Sequence, residues 1–263
     1  PEISSDRAPH QPGDGLSRPT EKTRTMPERT NPEGRICAAL TGDLVRSSRL
    51  SAAESAGAMA ALRRAGDDFA ALHPGAVVGR MDTFRHDSWQ ILLQQPELAV
   101  RAALFFRTVL KRESDAGAKY DTRVSIGIGT VELVSARRIS DSRGPAFTRS
   151  GKGLDAMGGR RLALDAGEGP QAALGCLADA AIPLLDCLVG DWTPAESRAV
   201  NGALQGLTQE AIAGRWPPVG ETGRAPSRQA VSDALARAHW RTVMEVLDWM
   251  EGEILQAFRL ASA

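Results

Sequence analysis

Between residues 35 and 166 short extended runs alternate with stretches of helical spacing, and the order in which they come restricts the fold more than any other feature of the chain. "RICAAL" is a continuous apolar strand, and "SAAESAGAMAALRRAGDDFAAL" is rich in the alanine and leucine of a helix that begins after a Ser51 cap. "AVVGRMDTF" and "DSWQILL" flank Arg85-His86 as the two strands of a hairpin. "PELAVRAALFFRTVLKRE" carries apolar residues at helical spacing, with Pro96 suited to a first turn. "TRVSIGIGTVEL" is a β-branched strand in which Gly127 and Gly129 leave room for another backbone to come close. "GPAFTRSGKGLDAM" then reads as a helix and "GRRLALD" as a last strand. This order predicts an α+β protein containing the βαββαβ unit of a ferredoxin-like sandwich. Such a frame hosts many unrelated chemistries, so function has to be read from the site.

The flanking segments have different character. Residues 1–32 hold six prolines and few large apolar side chains, and so cannot bury enough surface to offset the entropy of ordering; a disordered tail is expected there. Its five basic and five acidic residues cancel. After about Gln171 the extended pattern stops, and four helical stretches punctuated by Gly and Pro follow to the end, "AALGCLADAAIPLLDCLVG" being the first. The expected organisation is a tail over 1–32, an α/β domain over 33–170 and an all-α domain over 171–263.

Lysine plus arginine and aspartate plus glutamate balance at 32 each, which excludes a global field aimed at nucleic acid or membrane and leaves local clusters to carry any electrostatic role. Cys37, Cys176 and Cys187 lie far apart in apolar surroundings without metal-ligand spacing, as expected of core thiols in a reducing cytoplasm. No apolar run approaches the roughly 20 residues of a membrane span.

Two features suggest chemistry. Asp43, in "ALTGDLVRSS", follows the first strand, and Asp87 opens the third just after the hairpin tip. If the first and third strands are neighbours, the two carboxylates come side by side, an arrangement suited to Mg²⁺ or Mn²⁺ holding nucleotide phosphates. The alternative is a helix cap at Asp43 and a solvated turn aspartate at Asp87. Residues 137–161 carry Arg137, Arg138, Arg143, Arg149, Lys152, Arg160 and Arg161 against Asp141 and Asp155, a local net of +5. With the small residues of "SRGPAFTRSGKG" and a helix start, this stretch is either a phosphate cradle or a solvated basic face.

In this order the motifs resemble the catalytic domain of class III nucleotide cyclases. "TGDLV" and "RHDSWQ" match the two metal-aspartate turns, and "RVSIGIGT" and "RGPAFTRSGKGLDAM" match the following strand, loop and helix. The set is more closely similar to the SatD-like family, in which a cyclase-like domain is joined to a C-terminal helix-turn-helix. The resemblance covers most of residues 35–245. It implies that Asp43 and Asp87 are metal ligands, that the Leu44 carbonyl is a further metal contact, and that Leu44, Val45, Arg143 and Arg149 border the nucleotide, a purine read by Asp141. The asparagine and arginine that orient ribose and stabilise the transition state correspond to Thr148 and Lys152. His86 replaces a glycine, and Thr83 replaces an adenine-selecting lysine. Lysine keeps the charge but not the planar fork of arginine, so the resemblance implies metal–nucleotide binding with little or no turnover.

"LTQEAIAGRW" and "APSRQAVSDALARAHW" resemble a helix-turn-helix over about 207–240. Ala211 and Ile212 would pack inward against Ala230, Val231 and Leu235, and Ser227, Arg228, Gln229 and Ser232 would face a DNA groove, with Arg224 and Arg237 nearby. The connector "PPVGETGR" is long for this motif, and residues 190–263 carry seven arginines against nine acidic residues. A protein-docking module is the alternative. "HWRTVMEVLDWMEGEILQAF" would be either a core or a dimer helix. The expected protein is a cytoplasmic, homodimeric transcription regulator that binds a metal–nucleotide ligand and DNA. Its rivals are an active nucleotidyl cyclase or nucleotidyltransferase and a degenerate scaffold that binds neither.

Overall fold

Five strands and eight helices account for the described part of the chain, in the order β1 (Ile36–Leu44), α1 (Ala52–Leu72), β2 (Val77–Phe84), β3 (Ser88–Leu93), α2 (Ala99–Lys111), β4 (Thr122–Thr130), α3 (Pro145–Ala156), β5 (Leu162–Asp165), α4 (Pro170–Asp191), α5 (Pro194–Leu204), α6 (Gln209–Arg215), α7 (Arg228–Arg237) and α8 (Trp240–Ala261). The computed structural model describes residues 32–115, 117, 119–135, 137–168, 170–218 and 226–261. The expected tail, apart from Pro32, lies outside them, as do most of the connector between α6 and α7 and Arg224. The class is α+β.

The sheet order is β2-β3-β1-β4-β5, antiparallel except for the β4–β5 pair. Central β1 is apolar on both faces because both are covered. Ala38, Leu40 and Leu44 face the main core with α1 and α2, whereas Cys37 and Ala39 meet Ala146 and Phe147 of α3 on the other side. The strand runs further than "RICAAL" suggests: Asp43 lies inside it, opposite Ser88 and Arg123, rather than after it. Thr41 continues the ladder because its hydroxyl is satisfied by Gln90 and Ser150, so the polar residues there do not end the strand.

Local signals set the helix starts. Ser51 and Glu54 form a reciprocal capping box at α1, and Thr193 and Glu196 form another at α5. Pro96 opens a single 3-10 turn that leads into α2. At the sheet edge β2 shifts register between Val78 and Asp82 at Gly79, whose φ is 67°, a bulge that protects an open edge.

The helices after residue 170 join the sheet in one core. Leu174, Ala178, Ile182 and Leu185 of α4 and Val243, Leu247, Met250 and Ile254 of α8 belong to the same apolar cluster as Leu40, Trp89 and Phe105, and Pro32–Ala263 make one compact unit. Those positions of α8 are therefore core positions, while Trp249 and Leu255 remain exposed. Cys187 is also exposed, contrary to the expectation of a core thiol, because it lies with Leu184 on the outward side of α4 while Ile182, Leu185 and Val189 turn inward; Cys37 is fully buried.

A buried ion cluster ties the two parts together. Arg107 of α2 is 0% exposed and grips Asp121 through Nε (3.1 Å) and Nη2 (2.9 Å), and Asp186 of α4 through Nη1 (2.7 Å). Arg161 adds a contact to Asp121 at 3.2 Å and donates its amide to Asp186 at 2.8 Å. Lys111, whose ammonium is made less basic by burial, donates to the Gly190 carbonyl near the end of α4 at 2.9 Å. Among the described residues no helix is long and apolar enough to cross a membrane.

Candidate functional site

The β1–β3 register brings the two turn aspartates to one end of the sheet. Asp43 pairs with Ser88, and the Leu44 amide donates to the Asp87 carbonyl at 2.9 Å. Asp87 itself sits in the turn before β3, where Arg85 adopts a left-handed φ of 55°. Its carboxylate accepts from Ser47 Oγ (2.7 Å) and Ser88 Oγ (3.2 Å), which fixes it against the 3-10 turn Ser47–Arg49 that follows β1. The Val45 amide donates to the Asp121 carbonyl at 2.9 Å, so the exit of β1 is held on both sides and this amide is engaged within the protein.

Asp43 has a partner that the sequence did not disclose. Arg123 of β4 lies opposite it and binds both of its oxygens, Nε at 2.7 Å and Nη2 also in contact. The hydrogen bond that Arg123 donates to Asp43, reinforced by the charges of Asp43, Asp155 and Asp87, holds the guanidinium protonated above its usual range. One carboxylate thus binds the arginine directly, and two more act on it through their charge. The signal was present as acidic "TGD" and basic "TRV" at the ends of two strands, but only the register reveals that they meet.

The donor set fits a hard cation in kind, since Asp43 and Asp87 offer carboxylate oxygens at one sheet end and Mg²⁺ completes its octahedron with water and phosphate. It does not fit with Arg123 in place, because both Asp43 oxygens are taken. A metal would be held by Asp43 and Asp87 only after the guanidinium turns away.

The second cluster lies along α3. Gly144, at φ 138°, ends the basic loop with no room for a side chain beside Val131 and Glu132, and Pro145 starts the helix. A Cβ at Gly127 would overlap the Ala146 carbonyl and the Ser150 amide, which is why the glycines of "SIGIGT" let α3 lie directly on β4. A hydroxyl pair, Thr41 with Ser150 at 2.9 Å, and Gln90 donating to Thr41 at 2.7 Å lock the contact.

The outward side of α3 borders an open cleft of about 1120 Å³ whose lining includes Gln90, Arg143, Thr148, Arg149 and Lys152 together with the carboxylates of Glu132, Asp165 and Glu168. Arg149 is pinned by the Ile128 carbonyl (2.5 Å) and faces Asp165 at 3.9 Å, whereas Arg143 and Lys152 are exposed and have no carboxylate partner among the described residues. Asp141 is exposed on the turn Ile139–Asp141 and does not line the cleft. Arg138 and Arg161 are held by Asp82 and Asp121. Thr83 accepts from Arg63 at 2.8 Å, and the His86 carbonyl accepts from Ser55 at 3.3 Å.

Neither Asp43 nor Asp87 lines this cleft. Within one chain the structure brings Asp43, Asp87, Leu44 and Arg123 together, and separately Thr148, Arg149, Lys152 and Arg143, with Ser150 of α3 against Thr41 between them.

The helical end forms its own small core from Ala199, Ile212, Ala213, Trp216, Val231 and Ala234, which seats α6 and α7 on α5. Thr208 and Ser227 cap α6 and α7. Ile212 and Val231 are buried as expected, while Ala211, Ala230 and Leu235 are only partly covered. Ser227, Arg228, Gln229 and Arg237 are exposed and Ser232 is half-buried. Arg228 meets Glu210 at 3.0 Å, Gln229 meets Asp233 at 2.8 Å, and Arg237 is held by the buried Glu196 at 3.0 Å. Arg228 and Gln229 are tied only to exposed carboxylates, contacts of small energy. No protein-family model matches the chain, and no curated protein matches it at a significant level.

Proposed function

We propose that the sheet part of this protein is a nucleotide cyclase-like module that binds a metal–purine nucleotide with little turnover, and that α6 and α7 act as a helix-turn-helix that reads DNA. The observation that carries the reading is the register of β1 between β3 and β4, which sets Asp43, Asp87 and Arg123 at one sheet end beside the serine-rich turn. Two carboxylates and a guanidinium in one place suit a triphosphate with its divalent ion: the carboxylates hold the cation, and Arg123, once displaced from Asp43, donates to phosphate.

The α3 cleft also holds Glu132, Asp165 and Glu168, but Arg143 and Lys152 have no ion-pair partner among the described residues and are the two cations it offers to the phosphates. Because the cleft and the carboxylates do not share a wall, a complete site needs two chains, the carboxylates of one protomer facing α3 of its partner. A homodimer also suits a helix-turn-helix, whose half-sites repeat with two-fold symmetry. Binding is favoured over catalysis because Lys152 and Thr148 offer no planar fork to a pentavalent phosphorus, and the Asp43–Arg123 pair competes with metal loading.

The test is calorimetric titration of MgATP and MgGTP into the wild-type protein and into Asp43→Asn and Asp87→Asn. Magnesium-dependent binding lost in both variants supports the reading, and products are followed by mass detection in the same samples. Binding that is equal in all three proteins refutes the carboxylate site. For the helices, Arg228→Ala is expected to weaken retention of a selected DNA site and to leave non-specific binding nearly unchanged; uniform weakening on every sequence would assign Arg228 to phosphate contact alone.

A further inference from the structure

A second concave site lies away from both clusters, at the seam where α2 meets α5 and α6. Its volume is about 330 Å³, at the lower end of the range for small-ligand pockets. Three guanidinium groups line it, those of Arg112, Arg198 and Arg215. The carboxylates in the same wall are Asp68 and Glu113, and Glu113 is committed to Arg112 Nε at 3.0 Å.

The arginines differ in how they are held. Arg112 is oriented by the Asn201 amide oxygen at 2.5 Å. Asn201 is 1% exposed and donates in turn to Thr108 at 3.1 Å, so this arm of the pocket is rigid. Arg198 lies with its guanidinium carbon 5.9 Å from the centre of the Trp216 ring and gives one N–H to the Arg112 carbonyl at 2.5 Å. No carboxylate lies within ion-pair distance of Arg198 or of Arg215 among the described residues. Burial, helped by the neighbouring Arg112, weakens the hold of Arg198 on its proton, although Glu113 opposes this. A half-buried cation beside a second cation leaves a local deficit of negative charge with several N–H donors unspent.

The rest of the wall is mixed: Asn201 and Gln205 are polar, while Leu207, Ile212 and Pro217 supply its apolar part. We infer that this seam is a binding site for a small monoanionic carboxylate with a short apolar body, held by Arg198 and Arg215 through the carboxylate and by Leu207 and Ile212 through the body. One negative charge matches the excess of three arginines over two carboxylates, and Asp68 at the same wall opposes a doubly charged phosphate. The occupant touches α2 on one side and α6 on the other, so it fastens α6 to the sheet part of the molecule. The site shares no lining residue with the α3 cleft and contains neither turn aspartate, so the inference stands independently of the nucleotide reading.

The test uses the full chain and three probes at constant ionic strength: sodium benzoate, its neutral isostere benzamide, and inorganic phosphate. Calorimetry is expected to show saturable benzoate binding, at least about tenfold weaker binding of benzamide, and weaker phosphate binding. Arg215→Gln removes one exposed donor; it is expected to lower benzoate affinity about fivefold to twentyfold without moving the melting temperature of the free protein. Arg198→Lys, which keeps the charge but not the fork, is expected to fall between the two. Equal affinity for benzoate and benzamide, or an unchanged affinity in Arg215→Gln, overturns the assignment. Phosphate binding tighter than benzoate overturns the carboxylate class, and no saturable binding of any probe overturns the site.

Discussion

Replacing Arg107 by methionine, which fills a similar length without charge, is expected to be among the most damaging single changes in the sheet part of this protein. The guanidinium is fully buried and makes three hydrogen bonds to two carboxylates, at 3.1, 2.9 and 2.7 Å. Without it, Asp121 keeps Arg161 at 3.2 Å and the Thr122 amide at 2.9 Å, and Asp186 keeps the Arg161 amide at 2.8 Å. Breaking a buried pair by removing one partner costs about 3–5 kcal/mol, and the surviving contacts place the expected loss near the lower half of that range. A domain of ordinary stability has about 5–15 kcal/mol in total, so the loss is a large fraction of it. The assay is urea unfolding followed by tryptophan fluorescence, with the slope compared to make sure that the unfolding reaction is the same. Arg80→Met is the control: Arg80 pairs with Asp67 on the surface, with side chains 78% and 46% exposed, and its loss is expected to cost far less than that of Arg107. Asp186→Asn in the Arg107→Met background is expected to cost less than it does alone, because the partner is already gone. A loss at Arg107 no larger than that at Arg80 would refute the reasoning, since the cluster would then have to be hydrated and replaceable.

Gly127→Ala places a methyl against the Ala146 carbonyl and the Ser150 amide, so α3 must lift from the sheet; thermal melting is expected to show a loss of about 1–3 kcal/mol. Gly151→Ala on the same helix meets open space and is expected to stabilise by about 0.5–1 kcal/mol, which separates the close approach from general helix effects. In a Cys176→Ser background, an aromatic disulfide reagent near pH 8 is expected to label Cys187 rapidly. Cys37, whose thiol burial pushes up to about 11, should react only on unfolding, and equal rates for the two would contradict the burial assigned to β1.

Periodicity made most of the fold legible. Runs such as "RICAAL" and "TRVSIGIGT" have no helical reading that leaves their apolar residues on one side, and the Ser51 cap and the Pro96 first turn stand in the sequence itself. The close approach at Gly127 was legible for the same reason, because two glycines in a β-branched strand have few other uses. What escaped depends on register and on tertiary neighbours. The end of β1 was drawn short because Thr41, Gly42 and Asp43 look like a terminator until Ser150 and Arg123 are known to answer them. Arg107 sits in a helix whose apolar spacing hides one fully buried charge, and its partners Asp121 and Asp186 lie 14 and 79 residues along the chain. Of the expected site, the meeting of Asp43 with Asp87 followed from strand order, whereas the intervening claim of Arg123 on Asp43 did not.

The shared core of α8 and the sheet has a consequence for biosynthesis. Ala38 and Phe258 belong to one apolar cluster, so the face of the sheet made early stays open until the final helix has left the ribosome. At ordinary elongation rates that interval is roughly 10–40 s, during which Leu40, Trp89 and Phe105 lack part of their cover. A nascent chain in this condition is a substrate for chaperones that shield apolar surface, and a stop codon between β5 and α8 releases a product that carries the complete carboxylate end yet cannot close the core beneath it.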